Sequence, residues 1–228
     1  MLIDSTIAIS TPSLADIVPE GIRRDAMEAS GQRLTFAKGD ELFVEGDPAD
    51  FFYRIIYGSV GSSKLLSDAR RQIDSFYLAG DIFGFEPAED YGVTATALED
   101  TKVLAVPRLC FRDVMHDDPA LAEQLVSAMS SSLQRAREHM LLLARKTPQE
   151  KVAMFLLEIA KRLKNSTRIT LPMHRADIAD HLGLTKETVS RTMTRMARDG
   201  LIGLEAIGRT VLLTDMDRLR QLNAESKI

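Results

Sequence analysis

An α+β chain is predicted: an N-terminal β-roll, one long helix and a C-terminal winged helix-turn-helix domain. Three observations carry that prediction. Short β-branched and aromatic runs divided by glycine turns fill residues 32–107. The apolar spacing then changes to steps of three and four over residues 119–146. Residues 176–198, ADIADHLGLTKETVSRTMTRMAR, read as two short helical patterns around Gly183. The 228 residues accommodate such a plan, with parts at 1–118, 119–146 and 147–228.

The roll comes first. Runs at residues 42–44, 52–56, 72–77, 93–97 and 102–106 have strand character. Lys38-Gly39-Asp40, Glu45-Gly46-Asp47-Pro48, Tyr57-Gly58-Ser59 and Ala79-Gly80-Asp81 supply the turns between runs. Many short strands with frequent turns indicate a small barrel or roll.

The long helix follows. Leu121, Leu125, Met129, Leu133, Ala136, Met140 and Leu143 mark one face, over a helix of about 40 Å at ~1.5 Å per residue. Such a length suits a seam shared with a second copy, and Met129, Leu133, Ala136, Met140 and Leu143 are its candidate residues. The other reading is a helix packed only on its own domain. Thr147-Pro148-Gln149-Glu150 then forms a capping-box boundary, and a helix with Val152, Phe155, Leu156, Ile159 and Leu163 on one face begins there. After the second helix of the helix-turn-helix, Asp199-Gly200 is a stop. Residues 201–204 and 210–213 read as a hairpin, or wing, and residues 216–222 as a last short helix.

Glu187, Ser190 and Arg191 stand at i, i+3 and i+4, so they share one helix face. A carboxylate, a hydroxyl and a guanidinium on such a face match base edges in a DNA major groove. Arg191 can donate twice to guanine O6 and N7, Glu187 can accept from a cytosine or adenine amino group, and Ser190 can contact thymine. The competing reading for Glu187 and Arg191 is an exposed ion pair on one helix. Charge favours the DNA reading. Of 29 Lys/Arg and 33 Asp/Glu, residues from Pro148 on hold 14 and 10, a balance of +4 within a chain of net −4.

Other classes find little support. A Walker loop, a glycine-rich dinucleotide turn and a His/Cys cluster at metal spacing are all missing from the sequence. Ser130-Ser131-Ser132 falls inside a helical pattern without a neighbouring base. The N-terminus has no basic segment followed by an apolar core, and no apolar run reaches the ~18–20 residues of a membrane span. One cysteine, Cys110, fits a reducing compartment and is expected to be buried and structural. A cytoplasmic protein without membrane contact is expected.

The whole order resembles the CRP/FNR family of bacterial transcription regulators. Gly39, Gly46, Gly58-Ser59-Val60 and Gly80-Asp81-Ile82-Phe83-Gly84 fall at the turn glycines of that family's cyclic-nucleotide-binding-like roll. Asp177-Ile178-Ala179, Leu182-Gly183-Leu184-Thr185 and Glu187-Thr188-Val189-Ser190-Arg191 match its helix-turn-helix. The E-x-x-S-R form is similar to the FNR and FixK-like branches, where the CRP branch has Gly in place of Ser190. The resemblance implies a homodimer on double-stranded DNA, at a palindromic promoter site like TTGAT-N4-ATCAA, with half-sites ~10 bp apart. It places Arg175, Thr185, Lys186, Thr188 and Arg195 at phosphates. His174 reads either as a phosphate contact or as an ordinary turn histidine, and His181 as a surface or packing residue. The resemblance also implies RNA polymerase as a partner, met through turns near residues 164–168 or on the roll.

No cofactor is expected. A lone cysteine cannot hold the FNR iron–sulfur cluster. The glutamate of the cyclic-nucleotide site is displaced in Gly84-Phe85-Glu86-Pro87, and residues 88–93 have no arginine for the phosphate. His116, His139, His174 and His181 give no spacing for haem. What remains resembles FixK-like activators of microaerobic, respiratory or denitrification genes, which act without an obvious cofactor. The alternatives are a regulator gated by an unidentified effector in the roll, and an interaction module that no longer binds DNA.

Overall fold

The computed structural model describes residues 27, 30–110, 119–145, 147–164, 167–205 and 209–224. His116, the side chain of Cys110, and residues 165–166 and 206–208 of the two turns discussed above lie outside that set.

Eight antiparallel strands form the roll. β1 (Gln32–Phe36), β8 (Thr101–Pro107), β3 (Phe51–Tyr57) and β6 (Ile82–Phe83) make one sheet, in that order. β2 (Glu41–Phe43), β7 (Thr94–Ala97), β4 (Ser59–Leu65) and β5 (Arg71–Leu78) make the other. Alternating inward residues of the two sheets, Phe43, Tyr53, Ile55, Val60, Phe83 and Val103, meet in a core with Tyr91 of the β6–β7 connection. Gly58 turns β3 into β4 at φ +89°, and a Cβ there would lie 2.4 Å from the Thr101 hydroxyl oxygen. Only glycine meets both demands.

The predicted strands are present within a residue or so, and three more, β1, β4 and the short β6, join them. β4, SVGSSKL, pairs with β5 on one side and β7 on the other. Its serines and glycine read as turn chemistry, yet residues Ser59 to Ser62 are buried. Small side chains are needed there because Leu98 lies over the strand, 3.3 Å from where a Cβ on Gly61 would stand. β1 likewise pairs along β8 from Gln32 to Phe36.

α1 (Pro119–Arg145) runs for 27 residues, and its apolar face divides among three destinations. Leu125 is buried against the roll with Phe52, Ile82 and Leu104. Leu142 and Leu143 turn to the C-terminal core. Met129, Leu133, Ala136 and Met140 are exposed. α2 (Pro148–Arg162) starts at the expected capping box: the Glu150 carboxylate accepts from the Thr147 N–H at 2.6 Å, and the Thr147 hydroxyl accepts from the Glu150 N–H at 3.4 Å.

α3 (Arg175–Leu182) and α4 (Lys186–Arg198) form the helix-turn-helix, followed by β10 (Ile202–Leu204), β11 (Thr210–Leu213) and α5 (Met216–Ala224). β9 (Arg168–Thr170), not foreseen, adds a third strand beside β11. Val152, Phe155, Leu156 and Ile159 of α2 meet Ile178 and Leu182 of α3 and Val189, Met193 and Met196 of α4. Ile73 and Phe76 of β5 belong to the same cluster, so the roll and the winged domain share one core. Among the described residues no helix is long and apolar enough to cross a membrane.

Candidate nucleic-acid interface

The turn before α4 is fixed at both ends. Gly183 ends α3 in the left-handed conformation, φ +62° and ψ +40°. Lys151, buried on α2, donates to the Leu182 carbonyl at 3.0 Å, and burial pushes its ammonium below the ordinary lysine value. Thr185 then caps α4, its hydroxyl accepting from the Thr188 N–H at 3.1 Å.

α4 is sharply two-faced. Val189, Met193 and Met196 are buried, while Glu187, Arg191, Thr194, Arg195 and Arg198 are exposed. Ser190 is half-buried at the edge between them. Among the described residues, Glu187 and Arg191 form no ion pair with each other or with any neighbour. The exposed-pair reading of these two is therefore not the arrangement found, and both heads are available to an external ligand. Lys186 is exposed beside them. Arg195 is tied only loosely to Asp199, at 3.8 Å. Thr185 and Thr188 are partly committed to each other, their hydroxyls 2.9 Å apart. Arg175 is half-buried at the start of α3, and burial pushes its guanidinium below the ordinary value.

Two clamps hold this unit against the roll. Arg71 of β5 reaches Asp177 at 2.5 Å and Asp180 at 2.7 Å on α3. Arg162 of α2 donates to the Phe76 carbonyl at 2.7 Å and pairs with Asp81 at 2.5 Å. His181 proves to be a buried packing residue at this joint, where its Nδ1–H donates to the Ile73 carbonyl at 3.1 Å. His174 is exposed and faces Lys38 and Arg209, residues that sequence reading missed as candidates because the contacts span 136 and 35 positions.

Two family models cover these parts: the cyclic nucleotide-binding domain over residues 33–118, and the Crp-like helix-turn-helix domain over residues 150–222. The chain belongs to the CRP/FNR family. It is 43% identical over 201 residues to the nitrogen fixation regulation protein FixK of Azorhizobium caulinodans, covering 86% of this chain and 81% of that one. It is 36% identical over 224 residues to the FixK of Bradyrhizobium diazoefficiens, covering 96% and 93%. The solved structure of FixK2 from Bradyrhizobium japonicum superposes with a TM-score of 0.79 at 40% identity, covering 85% of this chain and 97% of that one. The relatives are transcription regulators, and neither matched family model is enzymatic.

CRP/FNR membership raises the question of a cyclic nucleotide in the roll, and the residues present do not fit one. Tyr91 stacks on Phe43 with ring centroids 3.6 Å apart, and Tyr53, Phe83 and Tyr77 continue the aromatic cluster. Burial first, then the charge of Tyr91, pushes the Tyr53 phenol above its usual range. Arg108, unnoticed in the sequence, is one cation on this side; Lys64, which pairs with Glu45 at 2.8 Å, is another. The Arg108 guanidinium is already engaged with the carbonyls of Ala49, Ala88 and Glu86 at 2.9, 3.1 and 2.6 Å. Glu86, with its carboxyl pushed up by burial, and the exposed Glu89 and Asp90 would meet an incoming phosphate as acids.

For a dimer seam, the CRP/FNR chain offers Met129, Leu133, Ala136 and Met140 exposed on α1, with Val126 extending the stripe. Leu143 departs from that expectation: it is half-buried against the C-terminal core, with its Cδ2 3.3 Å from where a Cβ on Gly183 would stand. Its step along the helix turns it toward α3, away from the stripe.

Proposed function

We propose that this chain is a homodimeric transcription activator that binds a TTGAT-N4-ATCAA-like palindrome without a cofactor, contacts RNA polymerase and controls microaerobic or respiratory genes. The observation that carries the reading is the exposed face of α4, where Glu187 and Arg191 form no ion pair among the described residues while Val189, Met193 and Met196 anchor the opposite face. Arg191 reads guanine, Glu187 accepts from a base amino group, and Ser190 meets thymine. Lys186, Arg195, Arg175, Thr185 and Thr188 hold phosphates that fix register. The similarity to FixK proteins supports the choice of palindrome and gene class. The aromatic packing of the roll and the engagement of Arg108 support activity without a ligand.

Binding of fluorescent duplexes, palindromic and scrambled, tests this at one fixed salt concentration under air. Tight preference for the palindrome without additive is expected. Arg191→Ala should cost about 1–3 kcal/mol on the palindrome and relax the preference at one base pair per half-site. Equal loss on both duplexes contradicts base reading by Arg191. Preference that appears only with cyclic AMP contradicts the cofactor-free state.

A further inference from the structure

His139, Leu142 and Leu143 stand at i, i+3 and i+4 on α1, so they share one helix face, and that face meets the end of α3. His139 donates from Nε2 to the His181 carbonyl at 2.7 Å and lays its ring on that of His181. Leu143 reaches Gly183, with its Cδ2 3.3 Å from where a Cβ there would stand. Met140, the next residue along, is exposed on a different face with Met129, Leu133 and Ala136. One short stretch of α1 thus carries both the candidate seam and a hold on the helix-turn-helix.

The carbonyl that His139 holds sits where the direction of α4 is set. His181 lies in the last turn of α3, Gly183 ends that helix, and Thr185 caps α4. The Leu182 carbonyl beside it is held by Lys151, and the His181 carbonyl takes a second, longer bond from Gln72 at 3.4 Å. Of these three donors His139 is the one on α1. Leucine packing alone is non-directional and tolerates sliding, whereas a hydrogen bond weakens steeply as its angle opens. One extra base pair between two half-sites moves them apart by about 3.4 Å and turns them by roughly 35°. In a two-fold dimer any pivot of α4 against α1 acts on both recognition helices.

We propose that His139 is a positioning residue that sets half-site spacing: by holding the His181 carbonyl it fixes the recognition helix relative to α1, so that the dimer selects one spacer length. The inference rests on the chain binding a palindrome as a homodimer joined through α1. His139 touches no base and no phosphate. It acts through His181 and the turn that follows, and what it governs is the distance and rotation between two copies of α4.

The test is binding, at one salt concentration, to duplexes whose half-sites carry the N4 spacer, one base pair fewer, or one or two more. His139→Phe keeps a ring against His181 and removes the donor, while His139→Gln keeps an N–H donor near the place of Nε2. The wild type should prefer one spacer. His139→Phe should lower the affinity ratio between the best and next-best spacers by about 2- to 10-fold, the usual contribution of one hydrogen bond. His139→Gln should restore most of that ratio. Urea curves and sedimentation confirm that each variant folds and dimerises, and His139→Ala repeats the test without a ring to place. Equal loss at every spacer is what a purely structural role produces, and it overturns the proposal. Unchanged spacer preference in both His139→Phe and His139→Ala overturns it as well. Preference kept by His139→Phe and lost by His139→Gln assigns control to the ring stack and overturns the role of the bond. A wild type that binds a lone half-site as tightly as any palindrome defeats the homodimer reading before any variant is made, and the proposal falls with it.

Discussion

The imidazole of His139 lies flat on that of His181, with ring centroids 4.0 Å apart and planes 8° from parallel. His139 donates from Nε2 to the His181 carbonyl at 2.7 Å, and His181 donates from Nδ1 to Ile73 at 3.1 Å. One stack thus joins α1, α3 and β5, at the point where the roll, the long helix and the winged domain meet. Burial first, then the charge of His139, brings His181 down to about 3 from its ordinary 6.5.

Acid should therefore loosen this joint. The native state keeps His181 neutral, while the unfolded chain takes up a proton below pH ~6.5. With the folded value depressed, stability falls as pH drops from about 6.5 toward 3. Between pH 7 and pH 5 the loss from this group is on the order of 2 kcal/mol. Urea denaturation at the two pH values measures it, and His181→Gln should flatten the difference. An equal pH dependence in that variant would assign the acid sensitivity to other groups, including Asp74 and Glu158 beside the same joint.

Arg162 should matter to docking out of proportion to its place on a helix surface. Its side chain is 16% exposed, and its guanidinium satisfies both the Phe76 carbonyl and the Asp81 carboxylate. Arg162→Met keeps the stem and removes these bonds, leaving a carbonyl and a carboxylate without that partner. A loss of about 1–3 kcal/mol is expected by urea denaturation. Amide exchange should rise in β5 and α3 more than within β3 and β8. Uniform change across both domains would argue against a joint-specific role.

Gly58 offers a sharper test of the roll. A Cβ at this position meets the Thr101 hydroxyl oxygen at 2.4 Å and the Asp100 carbonyl at 2.7 Å, with backbone in the left-handed region. Gly58→Ala should cost ~2–4 kcal/mol in urea, from steric overlap and backbone strain together. A midpoint within experimental error of the wild type would mean the β3–β4 turn relaxes freely.

The parts legible in the sequence are those whose signals are local. α4 announces itself through the Thr185 cap, the Gly183 stop before it and the buried period of Val189, Met193 and Met196. The capping box at Thr147 is equally local. β4 was illegible because Gly61 serves close packing under Leu98, and the buried hydroxyls of Ser59 and Ser62 donate to Glu99 and to the Ser75 carbonyl, demands set by residues on other strands and connections. Lys38, Arg108 and Arg209 escaped notice for the same reason, as their partners lie tens of positions away. On α1 the apolar period was correct, but periodicity alone cannot say that Leu125 faces the roll, Leu143 the winged domain and Leu133 neither.

That last division leads to the seam. Leu133 and Met140 are 54% and 63% exposed, one heptad apart, with Ala136 between them and Met129 one turn before Leu133. An exposed stripe at this spacing, on a helix of 27 residues, is the pattern that a two-stranded coiled coil covers. In a two-fold dimer each substitution counts twice. Burial of a Leu or Met side chain contributes ~1.5–3 kcal/mol, so Leu133→Glu should remove about 3–6 kcal/mol of association, a hundredfold or more in Kd. Sedimentation equilibrium should show the wild type as a dimer and Leu133→Glu as a monomer at the same concentration, with unchanged circular dichroism. Palindrome affinity should fall with the dimer, since one recognition helix reads too few bases alone. Leu143→Ala should behave differently, lowering stability through the C-terminal core while leaving the dimer intact. A dimer that survives Leu133→Glu and Met140→Glu together would place the seam on another surface.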